Sequence, residues 1–282
     1  MRTLIAGCGY VGTELARALV AAGGNEVWGL RRRATAMPAG VQGIAADLAR
    51  IDTLKDLPPR LDAVVYAVGA DGHTPEQYEA AYVTGLANLW HGLLAHGTPP
   101  RRLVVVTSTA VYSQNAGEWV DERSPTAPNE FSGRTLLRSE ALAHSLADEV
   151  VAVRFGGIYG PGRTRFIDSV RNGSAALGAG AEYTNRIHQL DCAAVLAHLL
   201  RLASPAPVYI GVDDEPADRR AVVEWLARRL GVALPPPLAP PAAATSAAAR
   251  GKRCSNRLLR ASGYAFRFPT FREGYADVLA PH

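Results

Sequence analysis

Thr3-Leu4-Ile5-Ala6-Gly7-Cys8-Gly9-Tyr10-Val11-Gly12 stands at the head of this 282-residue chain and decides how the rest is read. A short apolar run passes directly into G-x-G-x-x-G. The residues that follow place Val11, Leu15, Ala18, Leu19 and Ala22 on one helical face. Glycines at this spacing are common by chance, so the weight lies in the strand–turn–helix context. In that context each glycine has its own role. Gly7 permits the tight turn, Gly9 lets backbone approach a pyrophosphate, and Gly12 lets helix and strand pack closely. Tyr10 and Val11 open a helix whose amino end presents N–H groups and partial positive charge to phosphates. Gly7, Gly9, Tyr10, Val11 and Gly12 are therefore the candidate contacts for a dinucleotide.

The pattern outward from this turn is an alternation. Strands are predicted at Thr3–Ala6, Glu26–Leu30, Val41–Ala45, Ala63–Val68, Arg102–Thr107, Val150–Arg154 and Val208–Gly211, and helices at Val11–Ala22, Pro75–Ala95 and Phe131–Ala147. Runs such as Leu103-Val104-Val105-Val106 are apolar throughout, as strands covered on both faces should be. The fold class is α/β, a doubly wound parallel Rossmann sheet of about seven strands with a small, discontinuous C-terminal lobe. Residues 1–155 read as the dinucleotide-binding domain. Residues 156–282 read mainly as a substrate-side lobe, with a helix near 190–202 and a strand near 207–211 returning to the first domain. Further helices are predicted near Phe166–Arg171, Ala221–Leu230 and Phe271–Leu279. The proline- and alanine-rich stretch from Pro235 to Ala249 reads as a surface connection or lid.

Composition narrows the class. Hydrophobic residues at 48% and charged residues at 20% describe an ordinary globular chain. No apolar run is long enough to span a bilayer, and the N-terminus lacks the long apolar region of a signal peptide, so the expected location is cytoplasmic. Cys8, Cys192 and Cys254 are far apart and odd in number, against a disulfide framework or a metal site. The net charge is +4, and the tail is rich in arginine and lysine between Arg250 and Arg272. It carries no nucleic-acid-binding motif, so the expected partner is a small molecule rather than nucleic acid or membrane.

The second strand speaks to the cofactor. An NAD site places Asp or Glu at its end to accept the ribose hydroxyls. Here Leu30 is followed by Arg31-Arg32-Arg33, and a guanidinium fork suits a 2′-phosphate where a carboxylate would repel it. NADP(H) is the expected cofactor, with NAD(H) the other possibility and Arg31 and Arg32 the phosphate candidates. Asp47 and Leu48, after the third strand, are placed at the adenine; Val68 and Gly69, after the fourth, beneath the dinucleotide.

Several segments resemble the extended short-chain dehydrogenases/reductases, the branch of NAD(P)-dependent epimerases and dehydratases. Thr107-Ser108-Thr109-Ala110-Val111-Tyr112 is similar to the segment after their fifth strand, and Arg154-Phe155-Gly156-Gly157-Ile158-Tyr159-Gly160-Pro161-Gly162 to their Arg…Tyr-Gly-Pro-Gly turn. Asn185-Arg186-Ile187-His188 followed by Asp191 resembles their Ile-His-x-x-Asp segment, near the substrate. The resemblance implies a Ser, a Tyr and a Lys four residues later acting on the substrate, the Lys lowering the Tyr pKa. Ser108 fills the first place and also faces the cofactor. Aligned on Pro128 and Glu140, the helix Phe131-Ser132-Gly133-Arg134-Thr135-Leu136 puts Ser132 in the Tyr place and Leu136 in the Lys place. Tyr82, before Val83-Thr84-Gly85, replaces the family's Asn. The chain thus resembles an atypical member without the Tyr-x-x-x-Lys pair. Ser108, Ser132, His188 and Tyr183 are the remaining catalytic candidates; Tyr159 is expected to pack in its turn.

Two functional classes stay open. One is an NADP(H)-dependent oxidoreductase, epimerase or dehydratase acting on a small polar substrate, such as a nucleotide sugar or another anion, through a non-standard proton donor. The other is a catalytically silent NADP(H)-binding sensor or scaffold. A homodimer is expected through the helices near 75–95 and 131–147, whose Tyr78, Tyr82, Leu86, Leu89, Leu93, Leu136, Leu137, Leu142 and Leu146 exceed what one sheet face needs.

Overall fold

The computed structural model describes residues 1–34, 36–97, 100–178, 180–235 and 249–280. Most of the proline- and alanine-rich connection expected between 235 and 249 lies outside them. The chain divides into two units, the first made of Met1–Ser113, Pro125–Arg154 and Cys192–Tyr209, the second of Gln114–Ser124, Phe155–Asp191 and the residues from Ile210 onward.

A seven-stranded sheet organises the first unit. Its strands are β1 (Arg2–Ala6), β2 (Glu26–Arg31), β3 (Val41–Ala45), β4 (Ala63–Tyr66), β5 (Arg102–Ser108), β7 (Glu149–Phe155) and β11 (Val208–Gly211), in the order β11-β7-β5-β4-β1-β2-β3. The five strands from β5 to β3 pair in parallel. The order reverses at β1, where ligands of open α/β sheets bind at the carboxyl ends of the strands. Helices α1 (Tyr10–Ala21), α2 (Pro75–Glu79), α3 (Gly85–Ala95) and α4 (Phe131–Leu146) belong to this unit. Leu4, Ile5, Leu30, Val64, Val65, Leu103 and Val104 are fully buried.

Two helices differ from the sequence reading. In α1 the buried face is Val11, Gly12, Leu15, Ala16 and Leu19, whereas Ala18 is half-buried and Ala22 exposed. The face turns toward the small residues because Gly12 brings the helix against the glycine turn. The helix expected over Pro75–Ala95 carries a π turn at Ala80–Thr84. The buried Tyr66 hydroxyl donates to the Ala81 carbonyl, and a Cβ on Gly85 would lie 2.6 Å from the Tyr66 hydroxyl oxygen. An inserted side chain of this kind widens the helical ladder.

The second unit has smaller sheets. Strands β12 (Ala217–Asp218), β9 (Glu182–Thr184), β13 (Arg250–Cys254) and β6 (Ala116–Val120) form one, and β10 (Arg186–His188) pairs with β8 (Gly157–Tyr159). Its core is built from Tyr159, Ile167, Val170, Val222, Val223, Leu226, Phe271 and Tyr275, with α5 (Arg165–Arg171), α7 (Arg219–Leu230) and α9 (Phe271–Leu279). A reciprocal Thr270–Glu273 capping box starts α9. The basic tail is paired in part: Arg272 meets Glu215 at 2.5 Å, Arg260 meets Asp214 at 3.6 Å, and Arg253 stacks on Tyr183 and Trp119. α6 (Gln189–Arg201) and α8 (Arg257–Ala261) complete the elements. Among the described residues no helix is long and apolar enough to cross a membrane.

Candidate functional site

The glycine turn has the shape its sequence requires. Gly7 sits at φ +86°, and a Cβ there would lie 2.5 Å from the Ala67 carbonyl oxygen. A Cβ on Gly12 would lie 2.5 Å from the Gly7 oxygen and 3.0 Å from Ile5. Gly9 is the exception: a Cβ would meet nothing closer than the Gly7 oxygen at 4.0 Å. Two glycines are thus forced by close packing, whereas the third faces open space. The Gly7 and Cys8 amides both donate to the Leu30 carbonyl at 3.0 Å, tying the turn to β2. No side chain caps α1 and no acidic residue lies in its first turn, formed by the half-buried Tyr10 and the buried Val11 and Gly12. This cradle fits a dinucleotide pyrophosphate.

The arginines after β2 are not equivalent. Arg31 donates from Nη2 to the Ala36 carbonyl at 2.7 Å, and its buried Nε has no partner. Arg32 makes a bidentate pair with Asp71, Nη1–Oδ2 at 2.6 Å and Nη2–Oδ1 at 2.7 Å. Arg33 is exposed and makes no hydrogen bond or ion pair among the described residues. Asp47 uses one carboxylate oxygen to accept the Ala49 amide, and the Leu48 carbonyl accepts from Asn88. Val68 is half-buried; Gly69 is exposed, with open space where a Cβ would be.

Ser108 ends β5, half-buried, and its Oγ accepts the Ala110 amide at 3.2 Å. Its own proton is therefore available to a further acceptor. The turn that follows lies against α4, where a Cβ on Gly133 would be 2.6 Å from the Ala110 oxygen. Ser132 and Leu136 are buried on that helix at 7% and 3% exposure. Arg134 bonds the Asn129 carbonyl, and Arg138 pairs with Glu79, so neither substitutes for a Lys at 136. Beneath the turn runs a buried network that motif reading missed. The Arg154 Nε and Nη2 donate to Glu140 at 3.0 and 2.6 Å, its Nη1 donates to the Tyr112 hydroxyl at 2.8 Å, and Thr107 donates to Glu140 at 2.8 Å. The Glu140 carboxylate holds the guanidinium more strongly charged than usual despite its burial. Spacing between 107, 112, 140 and 154 gives no local signal of it.

In the second unit the residues expected near the substrate are built into the packing. His188 is fully buried; its Nδ1 accepts the Leu190 amide at 3.3 Å, and its Nε2 lies 3.5 Å from an Asp277 oxygen without a hydrogen bond. Burial lowers its pKa, against the pull of Asp277 and Asp191. Asp191 accepts from the Tyr264 hydroxyl and from the Arg267 and Phe268 amides, fixing the tail segment. Tyr159 is buried, its hydroxyl without a partner and its pKa raised by burial. Tyr183 is half-buried with Arg253 4.8 Å above its ring. Asp213 is buried, with one oxygen unpartnered and its carboxyl pushed well above the usual range.

Comparison with known proteins agrees with this arrangement. The model described as the NAD dependent epimerase/dehydratase family matches residues 3–209. The chain belongs to that family. Among curated family relatives, the Bos taurus epimerase family protein SDR39U1 is 28% identical over 307 residues, covering 99% of this chain and 100% of that one. A solved structure from Methylobacillus flagellatus, classed with the NAD-dependent epimerase/dehydratases, is 39% identical, covers 99% of this chain and 97% of its own, and superposes with a TM-score of 0.82. The human epimerase family protein SDR39U1, solved with NADPH, shares the fold at 24% identity and a TM-score of 0.78, with 99% of both chains covered.

Proposed function

We propose that this protein binds NADP(H) and acts as an oxidoreductase, epimerase or dehydratase on a small polar substrate, with Ser132 and Leu136 where the resemblance implies a phenol and a lysine. The observation that carries the cofactor reading is the glycine turn, closed at Gly7 and Gly12 and open only at Gly9, before an uncapped helix. Gly7, Gly9, Tyr10, Val11 and Gly12 would hold the pyrophosphate, Asp47 and Leu48 the adenine, Val68 and Gly69 the underside, and Arg31 and Arg32 the 2′-phosphate. The NADPH bound to the human relative supports the choice of phosphate, as do three arginines where an acidic residue serves NAD.

A bound NADP(H) would supply hydride exchange with the substrate carbon. Ser108 would donate to the substrate oxygen, since its lone pair already takes the Ala110 amide. An aliphatic hydroxyl at Ser132 is far less acidic than a phenol of pKa ~10, so it orients rather than supplies a proton. His188 is fully buried and favours its neutral form, which speaks for a structural role. No candidate of the first unit is then an acid, and the proton comes from solvent.

The test is titration of the purified protein with NADPH and NADH, followed by fluorescence or calorimetry. NADPH should bind at least about tenfold more tightly, equivalent to ~1.4 kcal/mol. Arg31→Ala should reduce that ratio, and equal affinities in the wild type would sink the assignment. A second reading, a silent NADP(H)-binding sensor or scaffold, is favoured by the buried Leu136 at the lysine position. It predicts tight NADPH binding and no turnover with nucleotide sugars or small carbonyl compounds.

A further inference from the structure

Arg32 and Asp71 come from loops on opposite sides of the glycine turn. In the sheet order β4-β1-β2, β1 lies between the strands that lead into these loops. Arg32 follows the last residue of β2, Asp71 lies five positions beyond the end of β4, and the glycine turn leaves β1 between them. That turn is fastened on both flanks, by the Gly7 and Cys8 amides to Leu30 on one side and by the close approach of Gly7 to Ala67 on the other. The bidentate Arg32–Asp71 pair therefore spans the width of β1 at its carboxyl end. Both side chains are largely exposed, at 63% and 60%, so solvent screens the pair and it can be exchanged. Each partner stabilises the charge of the other, the Asp71 carboxyl lying below its ordinary range because of the Arg32 hydrogen bonds.

The planar fork that Asp71 fills is the same fork that a phosphate monoester takes. Arg31 cannot replace it freely, because one of its nitrogens is committed to the Ala36 carbonyl. We infer that Asp71 is a specificity-determining residue, an internal carboxylate that competes with the 2′-phosphate of NADP(H) for Arg32. This rests on the NADP(H) reading above. A 2′-phosphate binds by displacing Asp71 from Arg32 and opening the strap; a ribose hydroxyl does not. Asp71 thereby lowers the phosphate's advantage over a ribose hydroxyl.

The experiment compares wild type, Asp71→Asn, Arg32→Ala and the double variant. Each is titrated with NADPH, NADH, adenosine 2′,5′-bisphosphate and 5′-AMP at fixed ionic strength. Asp71 is exposed, and circular dichroism and thermal melts should show all four proteins folded alike. Asp71→Asn should tighten NADPH and adenosine 2′,5′-bisphosphate by about three- to tenfold while leaving NADH and 5′-AMP within about twofold. In the Arg32→Ala background the same change should do nothing. Weaker NADPH binding in Asp71→Asn would mean that Asp71 positions Arg32 instead of competing for it, and would overturn the inference. Equal gains for NADH, no change for any ligand, or a gain that persists without Arg32 would overturn it as well. Failure of the NADP(H) reading looks different. It is a wild type without preference for NADPH; in that case a preference unmasked by Asp71→Asn still supports the competition, and its absence rejects both.

Discussion

At Gly7 a positive φ of +86° coincides with crowding, since a Cβ there would lie 2.5 Å from the Ala67 oxygen, whereas Gly9, two residues on, has open space before it. The two glycines should separate in a mutational test. Gly7→Ala forces a left-handed alanine into backbone and should cost roughly 1–3 kcal/mol of stability, read as a lowered denaturation midpoint. Gly9→Ala should fold with nearly unchanged stability but lose at least about tenfold in NADPH affinity, because its methyl group stands where the backbone must meet the pyrophosphate. Loss of stability in Gly9→Ala with normal binding would refute the placement. Ser108 and Ser132 divide in a similar way. If Ser108 orients the substrate oxygen, Ser108→Ala should cost roughly 10²-fold or more in turnover, and Ser132→Ala much less. Activity that survives the first change and dies with the second would move the site to α4. All of these residues were legible in the sequence, since glycine and serine at fixed spacing carry a local steric or hydrogen-bonding reason. Asp71 was not, because its meaning comes from an arginine on another strand.

Among the elements, β5, α4 and β7 are locked by the buried Glu140–Arg154 pair with Thr107 and Tyr112. Removing one partner leaves a charge buried without its counter-ion. Arg154→Met and Glu140→Gln should each destabilise by about 3–5 kcal/mol, whereas a double replacement by apolar residues should cost less than the sum. Chemical denaturation of the three variants measures this, and additive losses would argue against a coupled pair. In the second unit, His188 at the end of β10 faces Asp277 of α9, Asp191 of α6 and Arg267, and burial lowers its pKa below 6.5. The folded state therefore holds it neutral longer than the unfolded chain does. Its contribution is complete above about pH 6.5 and is lost as the pH falls through that value toward the lowered one, because only the unfolded chain takes up the proton. His188→Gln should flatten that part of the stability profile, from about pH 6.5 downward; an unchanged slope would assign the titration elsewhere. Sequence patterning found the long elements, whose periodicity is strong, but missed β6, β8, β9, β10, β12 and β13. These strands are two to five residues long, and β13 reads Arg-Gly-Lys-Arg-Cys. Only pairing with neighbours makes such a segment a strand.

For the whole molecule, the homodimer expectation loses part of its footing. Leu86, Leu89, Leu93 and Leu136 are buried inside the subunit, so the surplus of apolar positions counted along α3 and α4 is smaller than the sequence suggested. What remains is half-buried: Tyr78, Tyr82 and Leu137, with Phe131 stacked against Tyr78, and Leu142 and Leu146, which pack against the sheet core. If these faces still pair two copies, light scattering at micromolar concentration should give particles of about 60 kDa, twice the 29.9 kDa chain. Particles of a single chain would reject the dimer. The sequence by itself determined the α/β class, the seven-strand sheet and the glycine turn. Each depends on local periodicity or on residue identity within one segment. Tertiary structure alone decided which arginine is engaged by a carboxylate, that His188 and Asp191 serve the packing of the tail, and that Thr107, Tyr112, Glu140 and Arg154 share one network. Those outcomes depend on which distant segments meet, and on whether water is excluded where they do.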